Sequence, residues 1–164
     1  MRYKEGYAYH IRDEYLELVH DCNIKQKPGN GSSYPAYLCK KDTSSGVLWM
    51  IPMSTNITKY KAVYDREMTR YNHCYSIVIG AYDTGVTAFL IQEMYPVLEK
   101  HVLHTHTRKG KAVVISPALK SEIRHCFNKS MELSNKGIKC IYPDINRIKQ
   151  IILSEENLSC SSIA

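Results

Sequence analysis

An α+β fold in one domain is predicted for this 164-residue chain by three observations. Short apolar runs come in pairs around turn residues, as antiparallel hairpins require. Two long C-terminal stretches place apolar residues at helical spacing. No apolar run approaches the roughly 18 residues that cross a membrane. The expected arrangement is a small antiparallel sheet built from hairpins, with helices packed on it mostly from the C-terminal part. No repeat or linker divides the chain, so residues 1–164 are read as a single domain.

The elements follow in order. Tyr7-Ala8-Tyr9-His10-Ile11 alternates aromatic and polar groups as a strand does. Asp13 is placed to cap a helix over Glu14–His20, with Tyr15, Leu18 and Val19 on one face. Lys25–Tyr34, rich in Pro, Gly, Asn and Ser, reads as a mobile loop. Pro35–Lys40 is a strand, Asp42–Gly46 a hairpin turn, and Val47–Pro52 the returning strand. Lys61–Tyr71 has helical spacing. The β-branched run Ile77-Val78-Ile79 marks a strand over Tyr75–Ala81, turned at Asp83-Thr84-Gly85 and returned by Thr87–Gln92, with Pro96 closing the hairpin. Lys111–Ile115 is a further strand. Ser116-Pro117 opens a long helix with the stripe Leu119, Ile123, Cys126, Phe127, Met131 and Leu133, stopped by Gly137. Pro143-Asp144 opens a second, with Ile145, Ile148, Ile151 and Ile152 facing in. From Ser154 the tail is polar and expected to fray.

Composition narrows the partner. The formal net charge is +6 and the pI about 8.9, which favours an anionic partner. Thirteen tyrosines stand against two Phe and one Trp, and tyrosine both stacks on bases and hydrogen-bonds phosphates. Core packing with the hydroxyl turned outward is the ordinary use of most of them. The six cysteines share no C-x-x-C spacing, and the N-terminus has no signal-like apolar stretch. Free thiols in a cytoplasmic protein are expected, with no metal and no cofactor.

The chemistry concentrates after one strand. In Leu48-Trp49-Met50-Ile51-Pro52-Met53-Ser54-Thr55-Asn56-Ile57-Thr58-Lys59-Tyr60-Lys61 an apolar run passes into hydroxyls, an amide and two lysines. Neutral donors with an ammonium group suit a phosphate. A helix-capping cluster explains Ser54, Thr55 and Asn56 equally, and the two readings agree, because a helix N-terminus attracts anions. Tyr60, Tyr64, Arg66, Arg70 and Tyr71 interleave cations with rings, with Arg66 and Arg70 on one face. A solvated helix face accounts for that pattern too. The densest basic run is Lys100-His101-Val102-Leu103-His104-Thr105-His106-Thr107-Arg108-Lys109-Gly110-Lys111. It reads as an RNA-contacting loop, in which a histidine could move protons because imidazole titrates near neutrality. A zinc-type site on His101, His104 and His106 lacks a nearby acid or thiol to complete it.

The run Met50-Ile51-Pro52-Met53-Ser54-Thr55 with Lys59-Tyr60, then Ile77-Val78-Ile79-Gly80, then Ala88-Phe89-Leu90-Ile91-Gln92-Glu93-Met94-Tyr95-Pro96-Val97, resembles the ToxN/AbiQ family of type III toxin–antitoxin toxins. The likeness is greatest to the CptN branch. Tyr9–Leu18 is similar to that family's opening strand and helix, and the resemblance covers about Tyr7 to Ile152. It implies a compact, strongly twisted antiparallel sheet flanked by helices, distantly like the MazF and Kid toxins. It implies a bacterial endoribonuclease that needs no metal, acts in abortive infection, and is neutralised by an RNA of short tandem repeats that it cuts itself. A closed protein–RNA assembly is the expected partner state.

The family's catalytic hydroxyls correspond to Ser54 and Thr55. Its lysine lies two residues after that pair, where this chain has Ile57. Lys59, four residues after Thr55, is the nearest substitute. Tyr34 corresponds to the family's tyrosine, though no basic residue adjoins it before Pro35. The expected catalytic set is therefore Ser54, Thr55, Lys59 and Tyr34, with His73 a further candidate for proton transfer. Candidate RNA contacts are Lys40, Asn56, Tyr60, Lys61, Arg66, Arg70, Lys100, His101, Arg108, Lys109 and Lys111. The alternative reading is a non-catalytic RNA-binding module.

Overall fold

A computed structural model describes residues 2–24 and 34–161, the side chains of 159–161 excepted. The loop expected over Lys25–Tyr34 therefore lies outside the described residues except at its end. The elements are β1 (Ala8–Ile11), α1 (Asp13–Val19), β2 (Ala36–Lys41), β3 (Leu48–Ser54), α2 (Ile57–Tyr71), β4 (Ile77–Tyr82), β5 (Gly85–Leu90), β6 (Tyr95–Val97), β7 (Val102–Thr105), β8 (Thr107–Arg108), β9 (Lys111–Ala112), α3 (Pro117–Asn135) and α4 (Ile145–Ser161). The fold is α+β. Seven strands form one antiparallel sheet in the order β4-β5-β3-β2-β1-β7, with β6 also on β3, and β8 and β9 form a separate hairpin.

β3 organises the sheet. On one edge it pairs with β2, from Leu48↔Lys41 to Pro52↔Ala36. On the other it pairs with β6 over Leu48–Met50 and with β5 at Met53–Ser54. Proline has no N–H to give a ladder. Pro52 pairs with Ala36 of β2 but falls in the interval between β6 and β5, so the other edge asks no donor of it. This is why the strand runs on to Ser54 instead of stopping at Pro52 as expected from the sequence. It also projects two residues past the start of β2.

The two faces of β4 and β5 are divided by period-2 alternation. Ile77, Ala88 and Leu90 pack under α2 with Tyr60, Val63 and Met68. Val78, Tyr82 and Phe89 join the main core, which α3 and α4 cover with Leu119, Ile123, Phe127, Ile148 and Ile152. Gly80 lies under Leu119, and a Cβ there would stand 2.6 Å from Leu119 Cδ1, so glycine permits the approach of α3.

Several boundaries differ from the sequence reading. Arg12, not Asp13, occupies the N-cap of α1, and Asp13 is its first residue. α2 begins at Ile57, before Lys61, because Asn56 caps it. Pro96 closes no hairpin. It pairs with Trp49 in β6, where its carbonyl accepts from Tyr15 Oη at 2.7 Å. The strand expected over Lys111–Ile115 is only two residues long, tied to β8 through Lys109 and Gly110 at φ 48° and 74°. Positive φ at both central residues is the geometry of a tight hairpin. Ser116 caps α3 as expected, its Oγ accepting from Leu119 N–H at 3.2 Å. α4 continues past Ser154, held by Ile152 in the core and by Glu155, whose carboxylate meets Lys100 Nζ at 2.9 Å. Cys22, Cys39, Cys74, Cys126 and Cys140 are free thiols. Among the described residues, no helix is long and apolar enough to cross a membrane.

Candidate active site

A cavity of about 680 Å³ opens where β3 outruns β2. Its floor is Met53 and Ser54 of β3, and Tyr34 and Pro35 lie on the side that β2 leaves open. Thr55, Asn56, Lys59 and Tyr60 supply the wall from the start of α2. The β4–β5 turn, Tyr82–Thr87, and His106 close the far side. All four expected catalytic residues thus border one cavity.

The helix start is built from its own side chains. Asn56 Oδ1 accepts from Lys59 N–H at 3.3 Å, and Ser54 Oγ accepts from Asn56 N–H at 3.2 Å. Capping and cavity lining therefore coexist, as the sequence allowed. Thr55 makes no side-chain hydrogen bond with any described residue. The first turn of α2 contains no acid, so the positive end of the helix dipole faces the cavity unopposed. Lys59 Nζ lies 5.1 Å from the centre of the Tyr60 ring and has no carboxylate partner among the described residues. Tyr60 is buried, and burial followed by the nearby Glu93 carboxylate raises its pKa, so its hydroxyl stays protonated.

The far wall holds groups that the sequence did not single out for this site. Tyr82 is buried, and its hydroxyl has no hydrogen-bond partner among the described residues. Burial, then Asp83, push its pKa up to about 12, which leaves it a donor at neutral pH. His106 lines the cavity, and its Nδ1 lies 3.0 Å from His10 Nε2, a hydrogen bond in which either ring can be the donor. His10 in turn packs on His104, with ring centres 4.5 Å apart. Among the described residues the one carboxylate of the lining, Asp83, is taken by Arg108, whose Nη1 donates to Asp83 Oδ1 at 2.8 Å and Thr84 Oγ1 at 2.7 Å. Hydroxyls, an amide, an amine and an imidazole remain, a set that suits an anion better than a cation. Among the described residues, no group of three or more His, Cys, Asp or Glu could hold a metal ion.

The other candidates are dispersed. Lys61 is engaged by Asp65 at 2.9 Å, one turn along α2. Arg66 and Arg70 are exposed further along that helix, with Arg70 5.1 Å over the Tyr71 ring. Arg108 borders the cavity through Asp83, while Lys109 and Lys111 are exposed on the β8–β9 hairpin. Lys40 opposes Trp49, away from the Ser54 end of the β2–β3 ladder. Lys100 is tied to Glu155 on α4. His101 is buried, not on a basic loop: its Nδ1 accepts from Leu98 N–H at 3.1 Å, and burial lowers its pKa against the pull of Glu155. Its side chain belongs to the packing of α1 and α4, touching the Tyr15 ring at 5.1 Å. His73 lies at the opposite end of α2, stacked on Tyr75. No family model and no curated protein matches this chain.

Proposed function

We propose that the chain is a metal-independent endoribonuclease acting in the cavity at the start of α2, a type III toxin of the ToxN/AbiQ kind that an RNA of tandem repeats restrains in the cytoplasm. The observation that carries this reading is the meeting in one cavity of Ser54, Thr55, Lys59, Tyr34 and His106 with an acid-free helix N-terminus. Such a site matches a phosphodiester whose charge grows during reaction. RNA brings its own nucleophile, the 2′-hydroxyl. Its oxygen attacks phosphorus, the P–O5′ bond breaks, and the products are a 2′,3′-cyclic phosphate and a 5′-hydroxyl. One proton leaves the 2′-oxygen and one reaches the 5′-oxygen.

Fixed donors aimed at the developing charge are commonly the largest contribution to such catalysis. Thr55, the α2 N-terminus and Lys59 are placed for that work. His106 is better placed than His73 for the proton transfers, since it borders the cavity and His73 does not. A hydrogen bond with His10 in which either ring can donate lets His106 accept at one stage and donate at the other. Tyr34 and Tyr82 supply neutral donors at opposite sides.

The test is incubation of purified protein with RNA in EDTA. Cleavage to cyclic-phosphate ends is expected, and its loss in chelator overturns the metal-free mechanism. Full activity in both Ser54→Ala and Lys59→Ala overturns the assignment of the site. The capping bonds of Ser54 and Asn56 also suit an RNA-binding module without catalysis. Expression without a restraining RNA distinguishes the two, because only the enzyme arrests growth.

A further inference from the structure

A second cavity, of about 380 Å³, lies at the other end of α2. The helix stops at Tyr71, where Asn72 takes a left-handed conformation with φ 58° and turns the chain back toward β4. The rings that follow form a ladder. Tyr71 and His73 are 6.0 Å apart at 19°, and His73 and Tyr75 are 4.3 Å apart at 15°. Tyr71 is 52% exposed, and its gap to His73 is 1.7 Å wider than that between His73 and Tyr75, so the ladder is open to solvent at its Tyr71 end beside a cavity. The Arg70 guanidinium lies over the Tyr71 ring, and Lys139 lines the cavity wall.

Inside the same cavity is Gln92, only 7% exposed. Its backbone is fixed on both sides, N–H donating to Ser76 O at 3.0 Å and C=O accepting from Tyr142 N–H at 2.8 Å. Its side-chain amide makes no hydrogen bond with any described residue. The amide donor and acceptor are therefore open to the cavity, where an occupant with a matching acceptor and donor can pair with both. Parallel rings, a cation and a paired donor–acceptor amide are what an unstacked nucleobase requires.

α2 also joins this cavity to the first. Its 15 residues span about 22 Å. Arg66 and Arg70 follow Lys59 by seven and eleven residues, which puts them about 20° to either side of it around the helix. Arg66 and Arg70 have no carboxylate partner among the described residues. A stacked strand advancing about 3.4 Å per nucleotide would cover that distance in about six nucleotides.

We propose that the cavity at the C-terminal end of α2 is a nucleobase-stacking subsite. One base of a single-stranded RNA stacks on the His73–Tyr75 ladder, its edge meets the Gln92 amide, and its backbone follows Lys59, Arg66 and Arg70 between the two cavities. The direction of the strand toward the first cavity rests on the ribonuclease reading. The base-binding subsite does not.

The test is titration of the ¹⁵N-labelled full chain with each of the four ribonucleoside 5′-monophosphates and with inorganic phosphate. At least one nucleotide is expected to shift the amides of Tyr71, His73, Tyr75 and the Gln92 side chain saturably, where phosphate does not. A 2′-O-methyl RNA ten-mer, which cannot be cleaved by 2′-oxygen attack, should lose about tenfold to a hundredfold in affinity in His73→Ala. His73→Phe should recover it. His73 is exposed, so both variants retain the fold. Absence of shifts at these residues with all four nucleotides, equal shifts with phosphate alone, or unchanged ten-mer affinity in His73→Ala overturns the subsite. A chain that binds nucleotides here but leaves RNA intact overturns the ribonuclease reading and keeps the subsite. A chain that cleaves RNA with no shift at the ladder does the reverse.

Discussion

Lys59 and Lys61 lie two residues apart, about 200° around the same helix, and only the first lines the cavity. The second is neutralised by Asp65. Lys59→Ala is therefore expected to lower kcat/KM for RNA cleavage about a hundredfold, as loss of one donor to developing charge does. Lys61→Ala should change it less than about threefold, and equal losses in the two would show that bulk charge, not position, matters. Asp21 makes a separate prediction. Burial disfavours its charge, yet hydrogen bonds from Asp144 N–H at 3.0 Å and Asn23 N–H at 2.9 Å, together with Arg147, hold its pKa below the usual carboxylate value. Its contribution to stability is present above the unfolded pKa of about 3.9 and is lost as pH falls through the lower folded value. Asp21→Asn should cost about 1–3 kcal/mol at neutral pH and flatten the fall of Tm in acid, as read by thermal melts from pH 6 to 2. Ser54, Thr55, Asn56 and Lys59 were legible in the sequence because they lie within six residues, where helix geometry alone decides who shares a face. His106 and Tyr82 were not legible as cavity residues. Pairing of β1 with β7 and of β4 with β5 brings them there, and no local pattern records it.

At the scale of the element, α2 depends on its cap. Replacing Asn56 by alanine removes the acceptor for Lys59 N–H and should cost about 1 kcal/mol, a fall in Tm of roughly 2–4 °C for a chain of this size. It should also slow cleavage, because Lys59 sits in the turn that frays. β4 depends on a missing side chain. Gly80→Ala drives a methyl group into Leu119 and should destabilise the fold by about 1–3 kcal/mol. In the Gly80→Ala, Leu119→Ala double variant the losses should be less than additive, which denaturant titration measures. Helix α3 was readable in advance because Ser116, Pro117 and Gly137 mark ends that local hydrogen bonding settles, whereas the run of α4 past Ser154 depends on Ile152 in the core and Lys100 on Glu155. The strand ends were harder. Whether β3 stops at Pro52 depends on which neighbour needs an N–H there, and that is a property of β5 and β6.

For the molecule as a whole, the net charge of +6 is distributed unevenly in use. Lys61, Lys100, Arg108, Arg124 and Lys136 are committed to carboxylates, whereas Lys59, Arg66 and Arg70 form a line along α2. RNA affinity should fall linearly with the logarithm of salt concentration, and Arg66→Ala with Arg70→Ala should each reduce the slope by about 0.7. Fluorescence anisotropy on an uncleavable RNA checks this; an unchanged slope in both variants removes α2 from the interface. The sheet order was out of reach of the sequence, because period-2 alternation identifies a strand and says nothing of its partner. The ladder of β3 has one more consequence. Leu48–Met50 are hydrogen-bonded to strands on both edges, Met53 and Ser54 on one. In time this is a gradient of opening: amide protons at the root of the strand exchange only through global unfolding, while those at its tip exchange through smaller, faster excursions. The strand is thus clamped at its root and supple at its tip, so a bound RNA would slow exchange at Met53 and Ser54 while leaving Leu48–Met50 as slow as before.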